Sequence, residues 1–274
     1  MNFPPTHHIH PVCRLENGET RATDDVLAEE SPVALVYNGI AHVVLMATPA
    51  DLAELALGFS LSEGILGHPG ELYDIETKSG CNGIEVHLDI ASARFQALKA
   101  RRRSMSGRSG CGLCGIDSLA SVRQALPPVA RSGVISGNDI QTALSHLHAH
   151  QTLRNQTGSV HGAAWVENGQ IVRLFEDIGR HNALDKLLGF GARQGLDWQQ
   201  GFALISSRAS YEMVAKAAML GVGCLVAVSA PTALAVRLAE EAGITLVGFA
   251  RPQQFTIYTQ ADYIDMTPRI EQAV

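Results

Sequence analysis

Residues 202–250 read FALISSRASYEMVAKAAMLGVGCLVAVSAPTALAVRLAEEAGITLVGFA, and this stretch decides the fold. Three apolar runs of strand length, FALISS, CLVAVSA and ITLVGFA, alternate with two stretches of helical length, YEMVAKAAML and TALAVRLAEEAG. Strands that alternate with helices of about 10–15 residues are typical of βαβ units. The pattern therefore predicts a largely parallel sheet that helices cover on both faces.

The same alternation begins at about residue 136. GNDIQTALSHLHAH (137–150) and GRHNALDKLLGFGARQG (179–195) predict helices. Between them, GSVHGAAWVENGQIVRLFED (158–177) predicts a hairpin that turns at Asn168-Gly169. Asn-Gly favours such a turn because both of its residues must adopt positive φ angles.

The first hundred residues predict a small α+β domain. PVALVYNGIAHVVLMA (32–47) predicts a hairpin with its turn at Asn38-Gly39, and Asn82-Gly83 predicts a second turn. TPADLAELALGFSLSEG predicts a helix with Thr48 as its N-cap and Gly64 at its end.

Composition and charge exclude several classes of protein. Of 274 residues, 46% are hydrophobic and 18% are charged, which is typical of a globular protein with a real core. The net charge of −6 argues against general binding to nucleic acid or anionic membranes. The N-terminal MNFPPTHHIHPVC has no apolar signal-peptide region, and five cysteines are an odd set for a disulfide scaffold. We therefore expect a cytoplasmic protein without a membrane span.

A basic segment leads to a pair of cysteines. Residues 90–116 contain six basic side chains and no acid, and residues 100–115 show no obvious secondary structure. Arginine-rich segments bind anions such as phosphate. They are equally typical of a solvated face or of a helix C-terminus, where positive charge is favourable.

The cysteine pair is CGLCG, with Cys111 and Cys114. A structural zinc site needs four ligands, and the only other candidates are His146, His148 and His150, whose spacing is more typical of an exposed helix surface. A thioredoxin-like dithiol follows an apolar strand, whereas these cysteines follow SMSGRSG. The remaining interpretation is a nucleophilic thiolate on a mobile, electropositive loop, suited to accepting sulfane sulfur.

Polar residues follow three predicted strands. They lie in EDIGRHN (176–182), SSR (206–208) and SAPT (229–232). The first of these could equally be a polar helix start with a capping aspartate. Because open α/β sheets bind ligands beyond the carboxyl ends of their strands, the three stretches together favour a nucleotide-like ligand.

Several stretches together resemble the formate dehydrogenase accessory sulfurtransferase family, FdhD, from about Glu30 to Thr259. They are PVALVYNG…ALGFSLSEGIL, CGLCG, EDIGRHNALDKLLG, SSRASYEMVAKAAMLG and VSAPTALAVRLAEEAGITLVGFARPQQFTIYT. The resemblance implies an α/β protein with three parts. These are an N-terminal α+β domain (1–104), a mobile Gly/Ser/Arg loop with the cysteines (105–118), and a three-layer α/β/α domain of cytidine-deaminase-like architecture (119–274).

The resemblance also implies an activity. A cysteine desulfurase would load a persulfide onto Cys111, with Cys114 in support. The sulfur would then pass to the molybdenum of bis(molybdopterin guanine dinucleotide) for formate dehydrogenase. The family is homodimeric and places its cofactor contacts, for which GDP is a mimic, on the residues that here are Phe249, Ala250, Arg251, Pro252, Gln253 and Gln254. No metal ligands and no nucleic-acid partner are expected.

Two other classes stay open. A non-catalytic cofactor chaperone would bind the nucleotide without using its cysteines. A zinc-dependent nucleobase hydrolase would contain metal, although the chain has no His-x-Glu motif.

Overall fold

A computed structural model of the protein describes residues 3–105, 126–130 and 133–267. The elements of its first part are β1 (His7–Glu16), β2 (Glu19–Ala28), β3 (Ser31–Tyr37), β4 (Ile40–Ala47), α1 (Leu52–Ser62), β5 (Leu72–Gly80), β6 (Gly83–Ile90) and α2 (Ser92–Met105).

The elements of the second part are β7 (Ile135–Ser136), α3 (Gly137–His150), α4 (Thr152–Thr157), β8 (His161–Glu167), β9 (Gln170–Asp177), α5 (Arg180–Gln194), β10 (Phe202–Ile205), α6 (Tyr211–Met219), β11 (Cys224–Ala227), α7 (Ala233–Ala242), β12 (Thr245–Arg251), β13 (Gln254–Ile257) and β14 (Ile264–Asp265). Among the described residues, none of the helices has both the length and the apolar character that crossing a membrane requires.

A six-stranded sheet in the order β13-β12-β11-β10-β8-β9 forms the centre of the second part. Strands β10, β11 and β12 run parallel, as the βαβ pattern predicts. The prediction of a largely parallel sheet was nevertheless wrong, because the other three pairings are antiparallel. Tight turns join β8 to β9 and β12 to β13, and strands joined by tight turns must run antiparallel.

Helices cover both faces of this sheet, as predicted. On one face, residues of α5, α6 and α7 share a core with Trp165, Ile205 and Leu225. On the other face, Ile140 and Leu144 of α3 share a second core with the alternate residues of the same strands. The described part therefore has three layers, and its likeness to cytidine deaminases stays a prediction.

A four-stranded sheet in the order β4-β3-β6-β5 lies in the first part. Its inner face packs on α1 and α2 through Leu35, Leu55 and Leu98. The predicted turns at Asn38-Gly39 and Asn168-Gly169 are confirmed, with positive φ at all four residues. The domain boundaries at residues 104 and 118 stay predictions.

Three local predictions were wrong or missing. Helix α1 begins at Leu52 and its N-cap is Asp51 rather than Thr48. The side chain of Thr48 is buried and accepts a hydrogen bond from the amide of Ile178. Helix α2 runs to Met105, so the start of the segment 100–115 is helical. The β1–β2 hairpin was not predicted, although Asn17-Gly18 forms its turn with the same positive φ angles.

Helices α1 and α5 cross at two glycines and so join the two parts of the chain. A Cβ atom on Gly58 would lie 1.7 Å from the carbonyl oxygen of Asp185, and one on Gly189 would lie 2.0 Å from that of Glu54. No other residue type fits at such a crossing without moving a helix, because real side chains do not approach backbone atoms this closely.

Candidate functional site

The predicted sulfur-carrying residues Cys111 and Cys114 lie outside the described residues. The basic segment before them is described in part, and its side chains are engaged. Nε of Arg94 donates to Glu71 at 2.8 Å, and Nη1 of Arg101 donates to the carbonyl of Glu63 at 3.1 Å. The described part of the basic run therefore lies on helix α2, with Arg94 in its first turn and Lys99 and Arg101 further along it.

Of the other three cysteines, two are exposed and one is buried. Cys81 is exposed between β5 and β6, and Cys13 is exposed on β1. Cys224 is buried at the start of β11, and burial raises the pKa of its thiol.

Three strand ends meet at one edge of the six-stranded sheet. Strand β9 ends at Asp177, β10 ends at Ile205, and the antiparallel β8 begins there with His161. Two hydrogen bonds join these ends, because the Gly162 amide donates to Oγ of Ser206 at 2.8 Å and the Ser206 amide donates to the Gly162 carbonyl at 2.9 Å. Helices α5 and α6 both begin beside this edge, so the partial positive charge of two helix starts is directed at it.

A group of polar side chains, called here the edge cluster, lies at this edge: His161, Arg180, His181, Ser210 and Glu212. His161 is on the face of β8 that also carries Ala163, which packs in the core shared with α5 and α6. Nε2 of His181 lies 2.8 Å from Oε2 of Glu212, and Nη2 of Arg180 lies 3.9 Å from the same oxygen. The first turns of α5 and α6 are therefore held together by one carboxylate.

Nε2 of His181 lies 2.8 Å from the carboxylate of Glu212, and three further polar atoms of the edge cluster are buried and have no hydrogen-bond partner among the described residues. They are Nδ1 of His161, Nε of Arg180 and Oγ of Ser210. A buried polar atom without a partner costs about 1–3 kcal/mol, so such atoms are rare in folded proteins unless water or a ligand pairs with them. All three can donate, which fits a ligand that accepts hydrogen bonds, such as an oxyanion.

Basic side chains surround His161 in the edge cluster. Burial lowers the pKa of His161, and the neighbouring Arg154, Arg180 and His181 lower it further. The hydrogen bond from His181 lowers the pKa of Glu212. Burial raises the pKa of Tyr211 to about 12. A bound anion would relieve this mutual repulsion of the basic groups.

The predicted cofactor-binding segment forms the tight β12–β13 hairpin. Arg251 pairs with Gln254, and Pro252 and Gln253 form the turn; all four residues are exposed. The Gln253 amide donates to the side-chain oxygen of Gln141, which ties the hairpin to α3. Ala250 is buried.

Phe249 is the unusual residue of this segment. Its φ of 49° lies in the left-handed region, and the residue is 41% exposed. A bulky residue in that region costs about 1–3 kcal/mol and is frequently found at ligand sites. The Phe249 amide donates to the carbonyl of Ser229, so the backbone of Phe249 lies beside the residues that follow β11. An exposed aromatic ring is the kind of surface on which a nucleobase stacks.

The edge cluster and Phe249 belong to the same sheet edge. Strand β8 is separated from β12 by β10 and β11. Three strand spacings of about 4.8 Å give roughly 14 Å between the two ends. A nucleoside diphosphate that lay along the edge would span the distance between the ends of β8 and β12.

The rest of the EDIGRHNALDK stretch is not part of the edge cluster. Asp177 and Lys186 are fully buried and form an ion pair at 2.7 Å. Asp177 also accepts hydrogen bonds from the amides of Thr48 and Gly179 and from the side chain of Asn182. The interpretation of a capping aspartate was wrong, because Gly179 is the N-cap of α5 and no side chain caps the helix; the carboxylate of Asp177 instead binds the turn before α5 and the chain before α1.

A second buried pair lies beside it. Nζ of Lys216 in α6 is 3.0 Å from Asp185 and 2.8 Å from Glu63. Ser62 donates to Asp185 at 2.7 Å. Burial raises the pKa of Asp185, and the attraction of Lys216 opposes that rise. These contacts connect α1, α5 and α6.

Sequence reasoning included Arg180 and His181 in a polar stretch but missed His161, Ser210 and Glu212. Local sequence carries no signal for them, since His161 is at the start of an antiparallel strand rather than at a carboxyl end. Only the strand order, with β8 between β9 and β10, brings it to Arg180.

Comparison with known proteins gives the class of this chain. The sequence profile of the FdhD/NarQ family matches residues 28–265, and the chain belongs to that family. The expected resemblance is thus confirmed over most of its length.

Two relatives make the comparison more specific. The chain is 53% identical over 256 residues to the sulfur carrier protein FdhD of Cupriavidus necator. This alignment covers 93% of this chain and 89% of that protein. Its fold is similar to a crystal structure described as a formate dehydrogenase accessory protein from Desulfotalea psychrophila. That match has a TM-score of 0.77 and 22% identity, and covers 95% of this chain and 100% of the other.

Proposed function

We propose that this chain is a sulfur carrier that serves the maturation of formate dehydrogenase. The observation that carries the proposal is the 53% identity, over nearly the whole chain, to a protein named as a sulfur carrier. The accessory role is supported by the fold shared with a formate dehydrogenase accessory protein.

Sulfur would be carried on Cys111. The thiolate of Cys111 attacks the terminal sulfur of a persulfide on a cysteine desulfurase. The sulfur–sulfur bond of the donor breaks, the donor cysteine leaves as a thiolate, and a new sulfur–sulfur bond forms on Cys111. The arginines at positions 101–103 and Arg108 precede Cys111 closely in the sequence and support this assignment, because nearby positive charge favours the thiolate. Cys114 would assist as the neighbouring thiol.

The acceptor would be the molybdenum of bis(molybdopterin guanine dinucleotide), which this chain binds as a substrate. The edge cluster offers unpartnered donors and the starts of two helices to the pyrophosphate. Phe249 offers its exposed ring to a guanine, and Arg251 is a cation on the adjoining hairpin. The cofactor residues expected from the family thus become one end of a longer site, with the edge cluster at the other end.

Mass spectrometry tests the sulfur-carrying step. The purified chain is incubated with a cysteine desulfurase and cysteine, and the peptide containing Cys111 and Cys114 is examined for one added sulfur atom. We expect the added mass in the wild type, its loss in Cys111→Ala, and partial loading in Cys114→Ala. Loading of Cys111→Ala but not of Cys114→Ala would reverse the two roles.

The same incubation, combined with an assay of formate dehydrogenase activation and a metal analysis, separates the rival classes. A cofactor chaperone would show no added sulfur and would still activate formate dehydrogenase when both cysteines are replaced. A zinc-dependent nucleobase hydrolase would contain stoichiometric zinc by metal analysis, which the sulfur-carrier proposal does not predict.

A further inference from the structure

Glu212 is the acidic member of the edge cluster, and it faces two basic side chains and a hydroxyl. Its Oε2 atom lies 2.8 Å from Nε2 of His181 and 3.9 Å from Nη2 of Arg180. The hydroxyl of Tyr211 also hydrogen-bonds to this side chain. The pKa of Glu212 is lowered chiefly by the hydrogen bond from His181, so the group is a carboxylate at neutral pH. A negative charge therefore lies where the proposed site receives an anion.

The carboxylate of Glu212 and an anionic ligand use the same donors. Arginine and charged histidine pair with a carboxylate or with a phosphate through the same N–H groups. The phosphate of a ligand would therefore compete with Glu212 for His181 and Arg180. Nε of Arg180 has no partner among the described residues, so Glu212 leaves part of this guanidinium open to a ligand.

The contacts of Glu212 are of a kind that a ligand can replace. The side chain of Glu212 is 40% exposed, and its distance to Arg180 exceeds that of a hydrogen bond. Such exposed ion pairs contribute little to stability. Asp177, close by, is the opposite case, because its side chain is fully buried and accepts hydrogen bonds from two backbone amides. Glu212 can turn into solvent, whereas Asp177 cannot.

We propose that Glu212 is an internal counter-ion of the edge cluster, which the phosphate of the ligand displaces. The inference rests on the proposed function for the nature of that ligand. On binding, His181 and Arg180 pass from the carboxylate to phosphate oxygens, and Glu212 turns into solvent with Tyr211 beside it on the same turn of α6. No covalent bond changes. The counter-ion stabilises the unliganded chain and lowers its affinity for anions.

Only the first turn of α6 takes part in this exchange. Met213 and Val214 follow Glu212 directly and are fully buried in the core. Further along the helix, Nζ of Lys216 lies 3.0 Å from the carboxylate of Asp185 in α5. These contacts hold α6 in place when Glu212 moves or is replaced. We therefore expect Glu212→Gln to fold as the wild type does.

Calorimetric titration of GDP into full-length Glu212→Gln tests the competition. The titration is made at pH 6, below the ordinary histidine pKa of about 6.5, so that a histidine is mostly charged with or without the carboxylate. We expect GDP to bind about two- to fivefold more tightly, the range for the loss of an exposed charge pair. The matched control is Glu241→Gln near the C-terminal end of α7, which is exposed and should bind as the wild type does. Weaker binding in Glu212→Gln would mean that Glu212 positions the donors for the ligand, and would overturn the inference.

Thermal unfolding with inorganic pyrophosphate gives a second readout that needs no nucleotide. Without ligand, the midpoint of Glu212→Gln should be below that of the wild type, because the basic side chains have lost their counter-ion. Pyrophosphate should then raise the midpoint of the variant by more than that of the wild type. A purely structural role of Glu212 would lower the midpoint without changing the shift that pyrophosphate causes.

Equal shifts in the two proteins, or no shift in either, would contradict the inference. A larger shift in the variant would support it even if GDP did not bind, and neither readout depends on sulfur transfer. This inference and the proposed function therefore fail separately.

Discussion

The junction of α1 with α5 and the edge cluster use the same stretch of sequence, EDIGRHNALDK, in opposite ways. At the junction, Asp177 and Lys186 are fully buried, and each polar group has a protein partner. One turn away, Arg180 has a buried Nε without a partner among the described residues. Both regions are polar and lie beside the same helix start.

The difference is in what completes each region. Removing one member of a buried ion pair strongly lowers the free energy of unfolding, because the other charge is left buried without a partner. The junction therefore fixes the position of α1 against α5. Donors left without partners lower stability in the absence of a ligand, so they persist where a ligand pairs with them. The junction should therefore respond to substitution through stability, and the edge cluster through ligand affinity.

The largest expected effect is at the junction. Lys186→Met leaves the carboxylate of Asp177 buried without its cation and should lower the free energy of unfolding by about 3–5 kcal/mol. Urea unfolding followed by circular dichroism measures this loss. The control is Arg193→Ala, which breaks an ion pair with Glu54 between the same two helices, where the side chains are 39% and 21% exposed. That change should cost less than about 1 kcal/mol. Equal losses in the two variants would mean that burial does not decide the energetics of this junction.

The next effect comes from the helix crossing. Gly58→Ala places a methyl group against the backbone of α5 and should cost about 1–3 kcal/mol or more, because a backbone cannot move aside as a side chain can. Gly80→Ala is the control, since its nearest atom would be at an ordinary 3.6 Å. Thermal unfolding of both variants tests the prediction, and a Gly58→Ala protein as stable as Gly80→Ala would argue against the close crossing.

A smaller effect is expected from pH at the edge cluster. The pKa of His161 is lower in the folded chain than in the unfolded chain, so the unfolded chain binds a proton at His161 more readily. In the absence of ligand, the free energy of unfolding therefore decreases as the pH falls through the ordinary histidine range. A bound anion favours the charged imidazole and raises this pKa again. The affinity for GDP should therefore increase as the pH falls from about 8 to 6, by up to about tenfold per pH unit.

The control for this pH effect is His161→Gln, titrated with GDP by calorimetry over the same range. It removes the histidine while leaving the titration of GDP itself unchanged. A pH dependence that is the same in the variant and the wild type would exclude His161 from the site.

The parts of the fold that sequence predicts are those with local causes. The Asn38-Gly39 and Asn168-Gly169 turns and the alternation of strands and helices after residue 202 depend on neighbouring residues, and the structure confirms them. Thr48 was assigned to a helix N-cap because that is its best local use. Its amide instead donates to Asp177, and its hydroxyl accepts from the amide of Ile178, contacts with residues about 130 positions away. No local pattern contains that information.

The candidate site shows the same limit. The strand-end rule led to Arg180 and to the segment 249–254, because both follow strands in sequence. His161 and Ser210 join them only through the strand order and the packing of α6 beside α5. The β1–β2 hairpin was missed although its Asn17-Gly18 turn carries the same local signal, because apolar and polar residues are mixed on both faces of its strands.

The central claim, that the unpartnered donors of the edge cluster bind a nucleotide, is tested most directly by calorimetric titration of GDP into Arg180→Ala. The account predicts that binding weakens by about 1–3 kcal/mol, the value of a hydrogen bond to a charged group, while the thermal midpoint hardly changes. Arg251→Ala, at the other end of the site, should weaken binding within the same range. Arg193→Ala, at the far end of α5, should bind GDP as the wild type does. Wild-type affinity in Arg180→Ala would contradict the claim.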